Sequence, residues 1–221
     1  MKVNEIYPSI QGEGNYVGYP VLFIRLSGCT RSCSFCDSSY HTKGKEMSPK
    51  QVADKIVKSG KEIIVWTGGE PMLQIDEIDK VIQLIKRNRK VSFESCDIDN
   101  KFHLETNGDI LPPLCLFDYI CFSPKDERTA KNVLRFIQYS PKPEWDIKVV
   151  TDLETNKELI LYSTMLMPLT ILHQDGDYLS KKSDESMSKE IRKKVWNYCI
   201  KHNKRYSPRL HVELWGQKKG V

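Results

Sequence analysis

The chain has 221 residues, with 34 lysines and arginines against 29 aspartates and glutamates, for a net charge of +5. That length makes a single domain over 1–221 the natural expectation, with room for a full core. The positive excess is too slight to argue for nucleic acid, and apolar runs of six or seven residues are too short to cross a membrane. The residues Met1-Lys2-Val3-Asn4-Glu5 carry no apolar targeting core. Seven cysteines, an odd number in a chain of this size, do not make the disulfide framework of a small secreted protein. Reduced thiols point instead to the cytoplasm. No internal repeat and no low-complexity tract is visible.

In chain order, Ile6-Tyr7-Pro8-Ser9-Ile10 is interrupted by proline and reads at best as an edge strand. Gln11-Gly12-Glu13-Gly14 follows, where two glycines around an acid allow a sharp turn and close approach to a ligand. The plain alternative is an ordinary turn. The apolar run Val21-Leu22-Phe23-Ile24-Arg25-Leu26 is a buried strand. Arg25 inside it needs a partner, either a buried acid or a substrate carboxylate that the guanidinium fork would grip.

The loop after that strand holds Cys29, Cys33 and Cys36 at C-x3-C-x2-C spacing. A structural zinc site wants four ligands, usually as two separated pairs, and no second pair follows. A [4Fe–4S] cluster accepts thiolates this close together, and three of them would leave one iron open for a small molecule. Zinc or redox thiols are the alternatives. With Phe35 just ahead of the third cysteine, the motif resembles the radical S-adenosylmethionine (SAM) superfamily. In that superfamily the open iron takes the amino and carboxylate groups of SAM, which the reduced cluster splits to a 5′-deoxyadenosyl radical. Asp37 and Ser38 follow the motif, and a lone hydroxyl there is commonly a turn former.

Ser48-Pro49-Lys50-Gln51 starts a helix with a capping box. Val52, Ile56 and Val57 give its buried face and Gly60 ends it. A second strand over 62–67 runs into Gly68-Gly69-Glu70-Pro71, which resembles the superfamily element that receives the amino end of SAM. Residues 75–89 form the clearest helix, with Ile75, Ile78, Ile82 and Ile85 on one stripe. The stretch 90–107 holds Val91-Ser92-Phe93 and then a third strand ending Glu105-Thr106-Asn107-Gly108, with 94–100 between them as an insertion that includes the bystander thiol Cys96. A fourth strand over 118–123 ends in Ser123-Pro124-Lys125, and a fifth covers 145–150. Lys148 in that strand reads as a snorkelling surface residue rather than a buried functional one. A sixth strand is expected over 165–171, a loop over 178–186, and a helix over 188–202 with Ile191, Val195 and Cys199 inward and His202 on the surface. Residues from Leu210 read as a strand running into Trp215-Gly216, with His211 a satisfied structural residue.

Strand, loop and helix repeated with ligands at strand C-termini is the pattern of a parallel α/β barrel, here partial, with about six strands and few helices. Its open edges favour a homodimer. Within the superfamily, Gln11-Gly12-Glu13-Gly14, Cys36-Asp37-Ser38, the Glu105-Thr106-Asn107-Gly108 strand end, Ser123-Pro124-Lys125 and the Trp215-Gly216 tail resemble the 7-carboxy-7-deazaguanine synthases. That resemblance covers nearly the whole chain outside 90–100 and 178–186. It implies conversion of 6-carboxy-5,6,7,8-tetrahydropterin to 7-carboxy-7-deazaguanine with loss of ammonia, in queuosine and deazapurine biosynthesis, by a radical SAM lyase fed by an electron donor such as flavodoxin or ferredoxin. It also implies SAM contacts from Phe35, Cys36, Asp37, Gly69, Glu70, Ser123 and Lys125, and a Mg2+ held by Ser38. Substrate contacts would come from Ile10, Gln11, Gly12, Glu13, Arg25 and Thr67, with no residue singled out as catalytic. The rivals are a radical SAM activase for a glycyl-radical enzyme, against which Gln11-Gly12-Glu13-Gly14 and Cys36-Asp37-Ser38 argue, and a non-enzymatic zinc module.

Overall fold

The computed structural model describes residues 1–33, 36, 43–89, 99–139, 143–170, 185–216, 218 and 220. Among these, a nine-stranded sheet runs in the order β3-β1-β2-β4-β5-β6-β7-β8-β9. The strands are β1 (Lys2–Ile10), β2 (Pro20–Leu26), β3 (Lys45–Glu46), β4 (Ile63–Gly68), β5 (Lys101–Thr106), β6 (Tyr119–Phe122), β7 (Glu144–Thr151), β8 (Met165–Pro168) and β9 (Arg205–Tyr206). From β2 through β4 to β9 every pairing is parallel. The helices are α1 (Pro49–Ser59), α2 (Ile75–Arg89), α3 (Glu127–Gln138), α4 (Glu185–Lys201) and α5 (Leu210–Trp215).

The sheet curls on itself. Glu13, in the loop leaving β1, lies against Lys148 of β7, although β7 is five places along the sheet from β1. This is the partial parallel barrel expected, with additions. β1 is no short edge piece: it spans nine residues and pairs antiparallel to β2 over most of its length, with Pro8 placed opposite Leu22. The sheet ends in two-residue strands at both edges, which leaves little unpaired backbone there.

Successive strand residues alternate between two environments. Leu22, Ile24, Leu26, Ile64 and Trp66 face outward and pack with Val52, Ala53 and Ile56 of α1 and Ile78, Val81, Ile82 and Ile85 of α2. Full burial of each such side chain stabilises by about 1.5–3 kcal/mol relative to exposure, so this outer layer dominates the fold. Val21, Phe23, Ile63 and Val65 face the other way with Tyr7 and Tyr16, forming a small apolar floor inside the barrel. Tyr16, His103 and Tyr119 extend that floor, their rings 4.3 to 5.2 Å apart. Burial, then the Lys101 charge, pushes the His103 imidazole down to about 4, so it is neutral.

Local signals act as read at several ends. Ser48 accepts from the Gln51 N–H at 3.2 Å while Gln51 accepts from the Ser48 N–H at 2.8 Å, and α1 stops at Gly60. Val195 and Cys199 are buried in α4, Ile191 packs beside them, and His202 is exposed. Other expectations are corrected. Val57 is exposed, and Ala53 takes its place in the buried face of α1. α3 stands where no helix was read, capped by Asp126, whose carboxylate accepts from the Thr129 N–H at 2.8 Å. β8 stops at Pro168 and α4 begins at Glu185. The segment after Ser207 is the short helix α5 rather than a strand. Its first N–H, from Leu210, is taken by the Gly12 carbonyl at 3.0 Å, while β9 already occupies the place beside β8. The readings of 91–93, of Cys96 and of 178–184 lie outside the described residues.

Candidate active site

The C-terminal ends of the parallel strands point to one end of the barrel, where such folds place their chemistry. Two groups of side chains meet there. One lines the interior and the other surrounds the cysteine loop.

Inside, Glu105 at the end of β5 accepts from Gln11 Nε2 at 3.1 Å and from Thr67 Oγ1 at 3.3 Å. This brings together residues from the Gln11–Gly14 turn, β4 and β5. Gln11 is buried, its N–H is bonded to the Tyr19 carbonyl, and its Oε1 accepts from the Glu13 N–H. Ile10, in contrast, is exposed at the end of β1. Glu13 accepts from Lys148 Nζ at 2.5 Å and from Arg209 Nε at 3.3 Å, with His211 Nε2 3.8 Å away. Burial would push the Glu13 carboxyl up, but the Lys148, Arg209 and His211 charges outweigh it and hold it well below the usual carboxylate range. Burial would pull Lys148 down, and the Glu13 carboxylate, followed by Cys121 and Glu105, more than reverses it. Lys148 is therefore a buried, charged interior residue and not a snorkelling one. His211, read as structural, sits beside Glu13.

Arg25 faces the same interior. Its Nε donates to Glu5 at 3.1 Å and its Nη2 to the Tyr7 hydroxyl at 3.0 Å. The pairing with an acid is thus present, and it fixes the guanidinium in a strand position next to Thr67 in register.

At the cysteine loop, Cys29, Cys33 and Cys36 are half-buried and none is in a disulfide. Among the described residues, no three His, Cys, Asp or Glu side chains are gathered as a metal-holding group. The thiols share one loop at the end of β2, with the Cys36 N–H bonded to the Cys33 carbonyl at 3.2 Å. Three cysteines at this spacing in one loop have the donor chemistry of an iron–sulfur cluster. Phe35, Asp37 and Ser38, named above for SAM and Mg2+, lie outside the described residues.

The Gly68–Pro71 turn packs directly on this loop. The Glu70 N–H donates to the Gly28 carbonyl at 2.8 Å, and a Cβ on Gly69 would stand 1.8 Å from that same carbonyl oxygen. Only glycine permits this approach. The Glu70 side chain is fully buried and accepts from the Met72 N–H at 3.0 Å, the Thr106 hydroxyl at 2.8 Å and the Asn107 N–H at 2.8 Å. Burial pushes its carboxyl up against the pull of these donors. The carboxylate read as an ammonium acceptor is thus already engaged in joining β4 to β5. Ser123 and Lys125 neighbour each other at the end of β6, with Lys125 Nζ donating to Ser123 Oγ at 2.8 Å.

The site residues missed in the sequence are Glu105, Lys148, Arg209 and the group Thr30, Arg31, Asp109 and Asp126. Asp146 and Lys148 alternate with apolar Ile147 and Val149, the same charge-in-strand signal that marks Arg25. No spacing rule points to Arg31 and Asp109, which are 78 residues apart.

Comparison with known proteins agrees in scope. A family model described as the radical SAM superfamily matches residues 23–114. A 7-carboxy-7-deazaguanine synthase of Methanospirillum hungatei is 43% identical over 97 residues, which cover 43% of this chain and 42% of that protein. The match thus spans less than half the length of that relative. The protein of the same name from Thermoplasma acidophilum is 28% identical over 229 residues, covering 100% of both chains. Among solved structures, the crystal structure of QueE from Escherichia coli superposes with a TM-score of 0.62 at 22% identity, over 95% of this chain and 94% of that one. At that identity the likeness concerns the fold.

Proposed function

We propose that the chain is a radical SAM enzyme and, within that superfamily, a 7-carboxy-7-deazaguanine synthase, a lyase that takes 6-carboxy-5,6,7,8-tetrahydropterin to 7-carboxy-7-deazaguanine with loss of ammonia. The observation that carries this reading is the polar interior beside the cysteine loop. Carboxylates of Glu13 and Glu105 and the guanidinium of Arg25 line one end of the barrel over an apolar floor. A carboxypterin offers the complement: N–H donors on its ring and a carboxylate at its edge.

In this reading Cys29, Cys33 and Cys36 hold a [4Fe–4S] cluster. When bound, the cluster supplies the electron that splits SAM, and a reductant such as flavodoxin or ferredoxin delivers it. Gly69, Ser123 and Lys125 orient SAM together with Phe35, Cys36 and Asp37, while Glu70 keeps the turn that carries Gly69 in place. Ser38 would hold Mg2+, which favours oxygen ligands. Arg25 binds the substrate carboxylate, with Glu5 and Tyr7 holding the fork in plane. Gln11, Gly12, Glu13 and Thr67 line the ring, with Ile10 at the rim, and Lys148 and Arg209 keep Glu13 ionised.

Residues 1–221 act as one unit, in the cytoplasm. A homodimer covers the exposed Trp196, Ile200, Leu214 and Trp215. No helix among the described residues is long and apolar enough to cross a membrane. The deciding experiment is anaerobic reconstitution followed by incubation with SAM, a reductant, Mg2+ and the carboxypterin. The reading expects 7-carboxy-7-deazaguanine by mass spectrometry and no product from Cys33→Ala. A chain that binds zinc without iron or sulfide, or that cleaves SAM and leaves the pterin intact, removes it.

A further inference from the structure

Arg31 lies inside the cysteine motif, two residues after Cys29 and two before Cys33, and the proposed function gives it no task. Its guanidinium joins elements that are distant in the chain. Nε and Nη2 grip the two carboxylate oxygens of Asp109, after β5, at 2.7 and 2.5 Å. The same Nη2 lies 2.6 Å from Asp126, the cap of α3, and 3.1 Å from Thr129 Oγ1. Thr30 donates to Asp109 at 2.6 Å and accepts from Asn107 Nδ2 at 2.9 Å. Asn107 donates its own N–H to Glu70, and Glu70 returns its N–H to Gly28. The residues on both sides of Cys29 are therefore tied to β4, β5 and α3, from two directions.

We propose that Arg31 is a positioning residue for the cluster, holding the 29–33 part of the cysteine loop in place before iron arrives. This rests on reading the three cysteines as cluster ligands. A loop ordered in advance loses less conformational entropy when its thiolates close on one centre. The planar fork suits the task, because it takes Asp109 with two bonds and still reaches Asp126. Without the guanidinium, two carboxylates converge with no cation between them, and the loop loses its hold on both β5 and α3.

The test compares the parent with Arg31→Gln, Arg31→Lys and Asp126→Asn, each reconstituted anaerobically. Two quantities are read: the rate at which a chelator strips iron, and the alkylation of Cys29 and Cys33 in the apo chain relative to exposed Cys115. Denaturant unfolding of the apo chain runs alongside. The expectation is iron loss about tenfold faster in Arg31→Gln, as for a lost charge-assisted hydrogen bond. Relative alkylation of Cys29 and Cys33 rises with it. Arg31→Lys recovers part of both, and Asp126→Asn shifts both less. A role in general stability alone would lower the unfolding midpoint and leave the alkylation ratio unchanged. A folded Arg31→Gln chain with parental iron retention and parental alkylation ratio overturns the proposal. If Arg31→Gln does not fold, Asp126→Asn decides on the same readouts: parental values overturn the proposal and faster iron loss with raised alkylation upholds it. If the parent itself takes up no iron, the cluster reading fails, and an unchanged alkylation ratio then removes the ordered loop as well.

Discussion

The ammonium of Lys148 and the carboxylate of Glu13 meet at 2.5 Å, with side chains only 6 and 13% exposed. This contact spans the barrel, from the middle of the parallel sheet to the loop after its antiparallel strand. Glu13 is held below its ordinary 4.5, so its contribution to stability is present above that value and lost as pH falls through the lower folded one. Lys148 is held above its ordinary 10.5, so its contribution is present below that value and lost as pH rises through the higher folded one. The pair therefore acts between these two ordinary values. Lys148→Met leaves Glu13 with Arg209 and His211 alone, and should cost about 3–5 kcal/mol inside that window. Urea unfolding of the apo chain at several pH values checks this. The gap to the parent should narrow below pH 4.5, and an equal gap across the whole range contradicts the pairing.

Much of the barrel was legible in the sequence because β2, β4, β5 and β6 are short apolar runs followed closely by glycine, cysteine or serine, and the helices between them carry caps or apolar stripes. What escaped has identifiable causes. Residues 210–214 alternate apolar and polar like a strand, yet β9 fills the sheet position and Gly12 takes the Leu210 N–H. α3 was legible too: Asp126, directly after the Ser123-Pro124-Lys125 motif, is a cap residue, and Ala130, Val133, Leu134 and Ile137 recur at helical spacing. Arg25 and Lys148 carry one and the same signal, a charge within an apolar strand, and both turn out to be paired with an acid inside the barrel. Arg31 could not be foreseen, since its partners are defined only by the folded chain.

Two glycines should differ sharply on gaining a methyl group. At Gly69 the added carbon would lie 1.8 Å from the Gly28 carbonyl oxygen, which is backbone held by the Glu70 N–H. At Gly12 it would meet His211 Nδ1 at 2.5 Å, with the nearest backbone atom at 3.1 Å. Backbone cannot step aside as a side chain can. Gly69→Ala is expected to abolish SAM binding and iron retention, while Gly12→Ala keeps both and displaces His211. Calorimetric SAM titration of the reconstituted variants decides, and normal SAM affinity in Gly69→Ala would contradict the close approach.

Arg25 is engaged with Glu5 and Tyr7, and the proposed function asks it to bind a substrate carboxylate as well. A guanidinium has five N–H donors, enough for both. Loss of a charge-assisted two-pronged contact in Arg25→Gln should weaken carboxypterin binding by about 2–5 kcal/mol. Arg25→Lys should recover only part, because an ammonium lacks the fork. Iron content and SAM affinity should stay parental in both. If Arg25→Gln binds the carboxypterin as tightly as the parent, the side chain serves the Glu5 pair alone.

Glu70 tests whether the turn after β4 is held by its carboxylate. Oε1 accepts from the Met72 N–H and the Thr106 hydroxyl, and Oε2 from the Asn107 N–H. A carboxylate accepts at both oxygens, whereas glutamine presents one oxygen and one amino group. Turned one way, the new amino group faces the Asn107 N–H; turned the other, it faces the Met72 N–H. The Thr106 hydroxyl can rotate to suit, but a backbone N–H cannot, so one buried donor is left unmet in either orientation. That omission costs about 1–3 kcal/mol. Glu70→Gln should therefore unfold at lower denaturant in the apo state, where no SAM is present to confuse the reading. Glu70→Asp, which keeps both oxygens but draws them back by a methylene, should fall between. Because the Glu70 N–H also holds the Gly28 carbonyl beside Cys29, the loosened turn should raise the alkylation of Cys29 relative to Cys115. Parental stability in Glu70→Gln would mean that the three donors do not depend on the carboxylate, and that its engagement is no obstacle to receiving an ammonium.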